Sequence, residues 1–306
     1  MAELHQSVLL EELVQHLAPR DGGVYVDATC GLGGHAEAVL AACGPTGRLL
    51  AIDRDPRALE LARGRLAKFG DRATLVEGDF SDMRTFMEAS DHFPADGVVA
   101  DLGVSSIQLD DAERGFSFSR PGPLDMRMGP RVGETAAELL ERFDAQQLSQ
   151  IFRDYGEIER PGPIARAIVE ARDAGKLGNT ADLARVIAEH TYGRPTAIHP
   201  ATRAFQAIRI AVNRELDELD RLLGELPELL KPGGRAAIIS FHSLEDRRVK
   251  NAFRDPEPDP ALRMMPVEPE RGPFTALTKR PITPSDREIA KNPRARSAKL
   301  RVAERR

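Results

Sequence analysis

The stretch from Val24 to Asp55, VYVDATCGLGGHAEAVLAACGPTGRLLAIDRD, constrains the chain more than any other. A short β-prone run, Val24-Tyr25-Val26, ends in Asp27 and leads to a glycine-dense turn, Gly31-Leu32-Gly33-Gly34. A helix-like segment from His35 to Ala42 follows. A turn at Gly44-Pro45-Thr46-Gly47 then brings in a second apolar run, Arg48 to Ile52, which ends in Asp53. Strand, glycine turn, helix, strand and acid, in that order, form the opening βαβ unit of a nucleotide-type α/β domain. The glycines let the backbone come close to a ligand, and the helix N-terminus offers free N–H groups. Asp53 lies about 20 residues past the turn, where a carboxylate accepts from both ribose hydroxyls.

The unit alone leaves the cofactor open. Gly31-x-Gly33-x-x-Ala36 satisfies the loose dinucleotide pattern, so NAD is one reading. A turn that only packs helix against strand is another. Asp27 pulls away from NAD, because a carboxylate just before the turn would face a pyrophosphate unfavourably. The same carboxylate suits the cationic amino-acid end of S-adenosylmethionine.

With 306 residues the chain has enough length to bury a sizeable core in one large domain or two. No apolar run approaches the roughly 18 residues of a membrane span, and the first residues lack a signal-peptide pattern. The two cysteines, Cys30 and Cys43, fit no CxxC spacing. They therefore predict neither a disulfide framework nor a metal site, and they suit a reducing cytoplasm. The net charge of −5 is unevenly spread. From Lys279 to Arg306 there are ten Lys and Arg against three Asp and Glu, leaving an acidic body with a basic end. That asymmetry is expected of a local nucleic-acid contact, with a solvated tail as the plain alternative.

Apolar spacing predicts a helix over Ser7 to Leu17 covering one sheet edge, and Asp55-Pro56 predicts the start of another. Ala73 to Val76 and Asp96 to Leu102 read as the third and fourth strands. Phe80, just after the third, is placed to stack on an adenine ring or to fill the core. The fourth ends in Asp101-Leu102-Gly103-Val104-Ser105-Ser106, an acid and small polar residues where a reacting group would be placed. A long loop, Gln108 to Pro130, in which Met126 and Met128 read as packing residues, precedes a run of helices to about Tyr192. Ala201 to Leu230 is helical again. Lys231-Pro232-Gly233-Gly234 reads as a tight turn into a fifth strand, Arg235 to Ser240. Ser240, His242 and Asp246 invite a general-base or hydrolase reading, without the GxSxG elbow a hydrolase would carry. Pro256 to Pro273 reads as a mobile loop, and Thr275 to Thr278 and Ala298 to Ala303 as two last strands.

Together these segments resemble the bacterial family of small-subunit ribosomal RNA cytosine-N4 methyltransferases, the RsmH or MraW type. The likeness is carried by HQSVLLEE, GLGGH at Gly31 to His35, LLAIDRDP at Leu49 to Pro56, and DLGVSSIQLDDAERGFSF at Asp101 to Phe118. GPLDMRM, HPATRAFQAIRIAVNREL, SFHSLEDRRVK and NPRARSAKLRVAER continue it in order to the C-terminal end. The resemblance implies an α/β fold, a class I (Rossmann-like) methyltransferase sheet with helices on both faces and an inserted all-helical subdomain. The expected division is a cofactor domain of residues 1–106 and 210–306 around a helical substrate-recognition insertion of 107–209. It further implies S-adenosyl-L-methionine as cofactor, held by Gly33, Gly34, His35, Asp53, Phe80, Asp101 and Gln108, and 16S rRNA in the small ribosomal subunit as partner. The cytoplasm is the expected location, no metal is expected, and a homodimer is left open. A DNA cytosine-N4 methyltransferase, a nucleic-acid-binding regulator on the same fold and an NAD-dependent oxidoreductase are the other readings.

The implied chemistry asks for little. The lone pair of a cytosine amine is delocalised into the ring, so the site must align nitrogen, methyl carbon and sulfonium and accept hydrogen bonds from the NH₂ group. Asp101 is the candidate acceptor, with the backbone of Leu102 and Gly103 beside it. Many amino-methyltransferases place an Asn/Asp-Pro-Pro-aromatic run where Asp101-Leu102-Gly103-Val104 stands. Arg294, Arg296, Lys299 and Arg301 are the candidate phosphate contacts.

Overall fold

The computed structural model describes residues 7–130, 132–191, 199–256 and 270–306. Most of the proline-rich segment expected to be a mobile loop, and the first residues of the HQSVLLEE motif, lie outside these. The chain divides into two compact units, one of Met1–Gly103 with Asp217–Arg306 and one of Val104–Leu216.

The first unit is built on a seven-stranded sheet. Its first half runs α1 (Leu10–Leu17), β1 (Val24–Asp27), α2 (Gly34–Ala42), β2 (Arg48–Asp53), α3 (Pro56–Leu66), β3 (Ala73–Glu77), α4 (Met83–Ala89) and β4 (Ala95–Asp101). The second unit contributes five helices, α5 (Ser106–Asp110), α6 (Ala136–Arg142), α7 (Ala145–Asp154), α8 (Pro161–Asp173) and α9 (Thr180–Glu189), and then α10 (Ala201–Asn213). Within α11 (Glu215–Leu229) the chain returns to the first unit, which closes with β5 (Leu230–Ser240), α12 (Ser243–Ala252), β6 (Phe274–Ala276), α13 (Asp286–Lys291) and β7 (Lys299–Arg305).

The sheet order is β3-β2-β1-β4-β5-β7-β6. The first five strands are parallel, and β7 runs antiparallel to both β5 and β6. Five parallel strands with an antiparallel β7 set between β5 and β6 make a Rossmann-like sheet. The central strands read as unbroken apolar runs because both faces are covered. Alternate residues serve opposite layers. Tyr25, Leu49, Ala51, Val99, Ala237 and Ile239 pack with Leu13, Val39 and Leu59 from α1, α2 and α3. Val26, Leu50, Ile52, Val98, Ala100 and Ile238 pack with Met83, Leu222 and Val249 from α4, α11 and α12. Helix α1 therefore lies on a face of the sheet, not over an edge as its position in the sequence suggests. Nor is Lys231-Pro232-Gly233-Gly234 a turn before the strand. It lies inside β5 as a bulge, where pairing jumps from Ala95 with Leu230 to Gly97 with Arg235.

The second unit has a core of its own. Met126 and Met128, both buried, pack there with Phe152, Ile168, Ile187 and Ile208. Helix α10 buries Ala204, Ile208 and Val212 in the same core, so it belongs with the insertion. Among the described residues no helix is long and apolar enough to cross a membrane.

Candidate active site

The carboxyl ends of β3, β2, β1 and β4 carry Glu77, Asp53, Asp27 and Asp101 in turn. Strand order reverses between β1 and β4, and in open α/β sheets the crevice at such a switch point takes the ligand.

The glycine turn is tied down by Asp53. Its Oδ2 accepts from the Gly31 N–H at 2.7 Å and its Oδ1 from the Asp55 N–H at 2.9 Å. Each oxygen keeps a further lone pair for a hydroxyl donor. Burial raises the Asp53 carboxyl above its ordinary value, opposed by the two N–H groups. The glycines divide the work differently from the reading that all of them open the backbone to a ligand. Only Gly31 would direct a side chain into nearly open space. Gly33, at φ 77°, caps α2 and would push a Cβ to 3.3 Å from that of Ala62, whereas Gly34 would drive one to 1.9 Å from Ser7 Oγ. Any ligand contact from these two must come through their peptide groups. Gly33→Ala is expected to lower stability by about 1–2 kcal/mol, the cost of a left-handed conformation for an L side chain, in a denaturant titration.

At the N-terminus of α2 three ionisable groups converge. Asp27 is buried, with Oδ1 accepting from the Thr29 N–H at 3.2 Å and Oδ2 without a partner among the described residues. Burial pushes its carboxyl up to about 6. Asp101 Oδ2 lies 3.6 Å from His35 Nδ1, and Asp101 Oδ1 is enclosed without a partner among the described residues. Burial, and then the Glu245 carboxylate, push Asp101 up to about 8. The Asp101 N–H donates to Thr29 Oγ1 at 2.6 Å, which fixes the end of β4 against the turn. His35 is buried, and burial lowers its imidazole below the ordinary value. Its Nε2 lies 2.9 Å from the Val8 carbonyl oxygen. The same segment is held from the other side by Glu288, whose Oε1 accepts from the Leu9 N–H at 2.8 Å. Nothing local in the sequence marks this latch, since its partners stand 27 and 279 residues apart.

Two unpartnered carboxylate oxygens beside a helix N-terminus make a site with two signs. The helix end favours an anion and the carboxylates favour a cation. An amino-acid zwitterion satisfies both. Phe80, half-buried after β3, has the Arg54 guanidinium 5.9 Å from its ring centre, and Arg54 Nε meets Asp79 Oδ1 at 2.8 Å. The Phe80 ring thus borders the core of that layer while standing at the strand-end edge.

Other candidates have different roles. His242 caps α12, with Nδ1 accepting from the Glu245 N–H at 3.4 Å while Glu245 Oε2 accepts from the Phe241 N–H at 2.8 Å. Ser240 donates toward the Lys299 carbonyl, and Asp246 pairs with Arg301 at 2.6 Å and Lys299 at 3.4 Å. No hydrolase triad forms among the three. The same pairing corrects the reading of Arg301 as a phosphate contact, because its side chain is buried against Asp246. Arg294 and Arg296 are exposed. Gln108 belongs to the second unit, where its Oε1 accepts from the Ser105 N–H at 3.0 Å and its Nε2 donates to the Met128 carbonyl at 3.0 Å.

Comparison with known proteins places the chain in a family. The sequence profile described as the MraW methylase family matches residues 2–306. The "Ribosomal RNA small subunit methyltransferase H" of Magnetococcus marinus is 49% identical, with 99% of both chains covered. That of Sorangium cellulosum is 49% identical over 99% of this chain and 91% of its own, and that of Thermomicrobium roseum 46% over 100% and 94%. The chain therefore belongs to the MraW methylase family.

Proposed function

We propose that this methylase transfers the methyl group of S-adenosylmethionine to the exocyclic N4 amine of a cytidine in the decoding region of 16S rRNA, within the small ribosomal subunit of the cytoplasm. The observation that carries the donor half is a pair of oxygens without partners among the described residues, Asp27 Oδ2 and Asp101 Oδ1, beside the N-terminus of α2. In this reading the methionine carboxylate meets the peptide N–H groups of Gly34 and His35, its ammonium meets Asp27 with Asp101 lining the same pocket, Asp53 takes the ribose hydroxyls, and Phe80 stacks on adenine. Gly33 shapes the turn. Gln108 enters the proposal through the family resemblance, and the helical unit is proposed as the part that recognises the substrate.

The acceptor half rests on the family, whose relatives are named for small-subunit ribosomal RNA, and on the chemistry of the edge. Inversion at the methyl carbon needs no metal and no covalent enzyme intermediate. It needs a dry, aligned pocket and an acceptor for the amine hydrogens. Asp101 supplies the acceptor. The target base must be unstacked, which a folded ribosomal RNA region grants more cheaply than a duplex. Transfer of a tritiated methyl group to 30S particles, with the label recovered as N4-methylcytidine and absent from DNA, is the expected result. Label on another nucleoside would overturn the assignment. S-adenosylmethionine should raise Tm where NADH does not.

Exposed Arg294 and Arg296 are the proposed phosphate contacts. Replacing both with Ala should weaken binding to 30S RNA and lower the slope of log affinity against log salt by about one to two. An unchanged slope removes them from the interface. Arg301→Ala should instead lower Tm, because it leaves the Asp246 carboxylate without its buried partner.

A further inference from the structure

His35 has one nitrogen already committed. A carbonyl oxygen only accepts, so the imidazole nitrogen 2.9 Å from the Val8 oxygen carries a hydrogen, and Nε2–H is fixed as donor. In the neutral ring the other nitrogen, Nδ1, is then bare. It faces Asp101 Oδ2 at 3.6 Å. Among the described residues of the remaining elements packed here, the charged groups are Asp27 on β1, beside His35, with Asp53 on β2 acting on Asp27, and Glu245 on α12, beside Asp101. Arg65 on α3 reaches the Leu32 carbonyl and Glu37. About a fifth of the Asp101 side chain is exposed, against 6% for His35, so Asp101 is the member open to a ligand.

The transfer reaction releases one proton. The amine nitrogen forms a bond to the methyl carbon as the carbon–sulfur bond breaks, its electron pair going to sulfur to leave a neutral thioether. The nitrogen, briefly four-bonded and positive, then gives a proton to a base. A carboxylic acid that already holds its proton cannot take it. With its carboxyl raised to about 8, Asp101 holds a proton at neutral pH before the donor binds.

Resting on the function proposed above, we propose that His35 is a positioning residue that stores this proton: Nδ1 takes it from Asp101 Oδ2 when the cationic donor binds, leaving an ionised carboxylate to accept the amine hydrogen. The imidazolium so formed sits beside Asp27, which favours it. After transfer Asp101 again carries a proton, and His35 sheds its own to solvent once the products leave. One proton has left the amine and one has reached water.

His35→Gln separates the two nitrogens, since its amide NH₂ still reaches toward the Val8 carbonyl but no base faces Asp101. Titration calorimetry with S-adenosylmethionine, and single-turnover methyl transfer to 30S particles between pH 6.5 and 9, read the outcome. The expected result is donor affinity within about threefold of wild type and a rate at least tenfold lower at pH 7. That deficit closes as pH rises past about 8, where solvent can strip Asp101 directly. Three results would overturn the proposal: a wild-type rate at pH 7, a deficit constant across the range, or a variant that no longer binds the donor. Failure of the underlying reading looks different. The wild-type protein itself would then neither bind the donor nor label the particles.

Discussion

Asp101→Asn is expected to bind S-adenosylmethionine within a few-fold of wild type yet lose methyl transfer by about 10²–10⁴-fold, the range for removing a positioned proton acceptor. The amide keeps the shape of the side chain at the end of β4, and the Asp101 N–H bond to Thr29 Oγ1, which sets that end, does not involve the carboxylate. What the substitution removes is a group able to take a proton. If Asn binds the donor poorly, Asp101 serves the cofactor and not the base. If it turns over normally, another group accepts the proton. Asp27 serves as control, because its carboxylate lies deeper, at 1% exposed, and is assigned only to the donor's ammonium. Calorimetry paired with single-turnover labelling separates the outcomes.

The second large effect is on the donor itself. Asp53→Ala should weaken S-adenosylmethionine binding by two orders of magnitude or more. Two ribose hydroxyls lose an ionised acceptor, each such bond contributing about 1.5–3 kcal/mol. The same carboxylate holds the Gly31 and Asp55 N–H groups, so the glycine turn loses its side-chain tie to β2 and keeps only the Cys30 N–H bond to the Ile52 carbonyl. Asp53→Asn, which retains one accepting oxygen, should fall between. An Ala variant whose affinity changes less than tenfold in calorimetry would remove Asp53 from the ribose site.

Much of this was legible before any coordinates, for a local reason. The acids Asp27, Asp53 and Asp101 end apolar runs, and in a parallel sheet the ends of such runs share one edge. Residue type and spacing within about 30 positions were enough for the βαβ unit. What escaped reading depends on pairing across long sequence distances. Arg301 looked like one more cation in a basic tail, yet Asp246, 55 residues earlier, buries it. Gly34 looked like a ligand contact, and the structure adds Ser7 packed where a side chain would go. His242 looked like a general base because it follows a strand end, while its ring caps α12. His35, a residue of the glycine motif, gained its fixed tautomer only through Val8, and the Val8 segment its place through Glu288.

The central claim is that the strand-end acids and the first turn of α2 hold a sulfonium-bearing zwitterion. A crystal grown with S-adenosylmethionine tests it most directly. The account predicts the ammonium against Asp27, the carboxylate on the Gly34 and His35 peptides, and the ribose on Asp53. A crevice left empty at saturating donor, or one that takes a dinucleotide pyrophosphate on the same peptides, would contradict it.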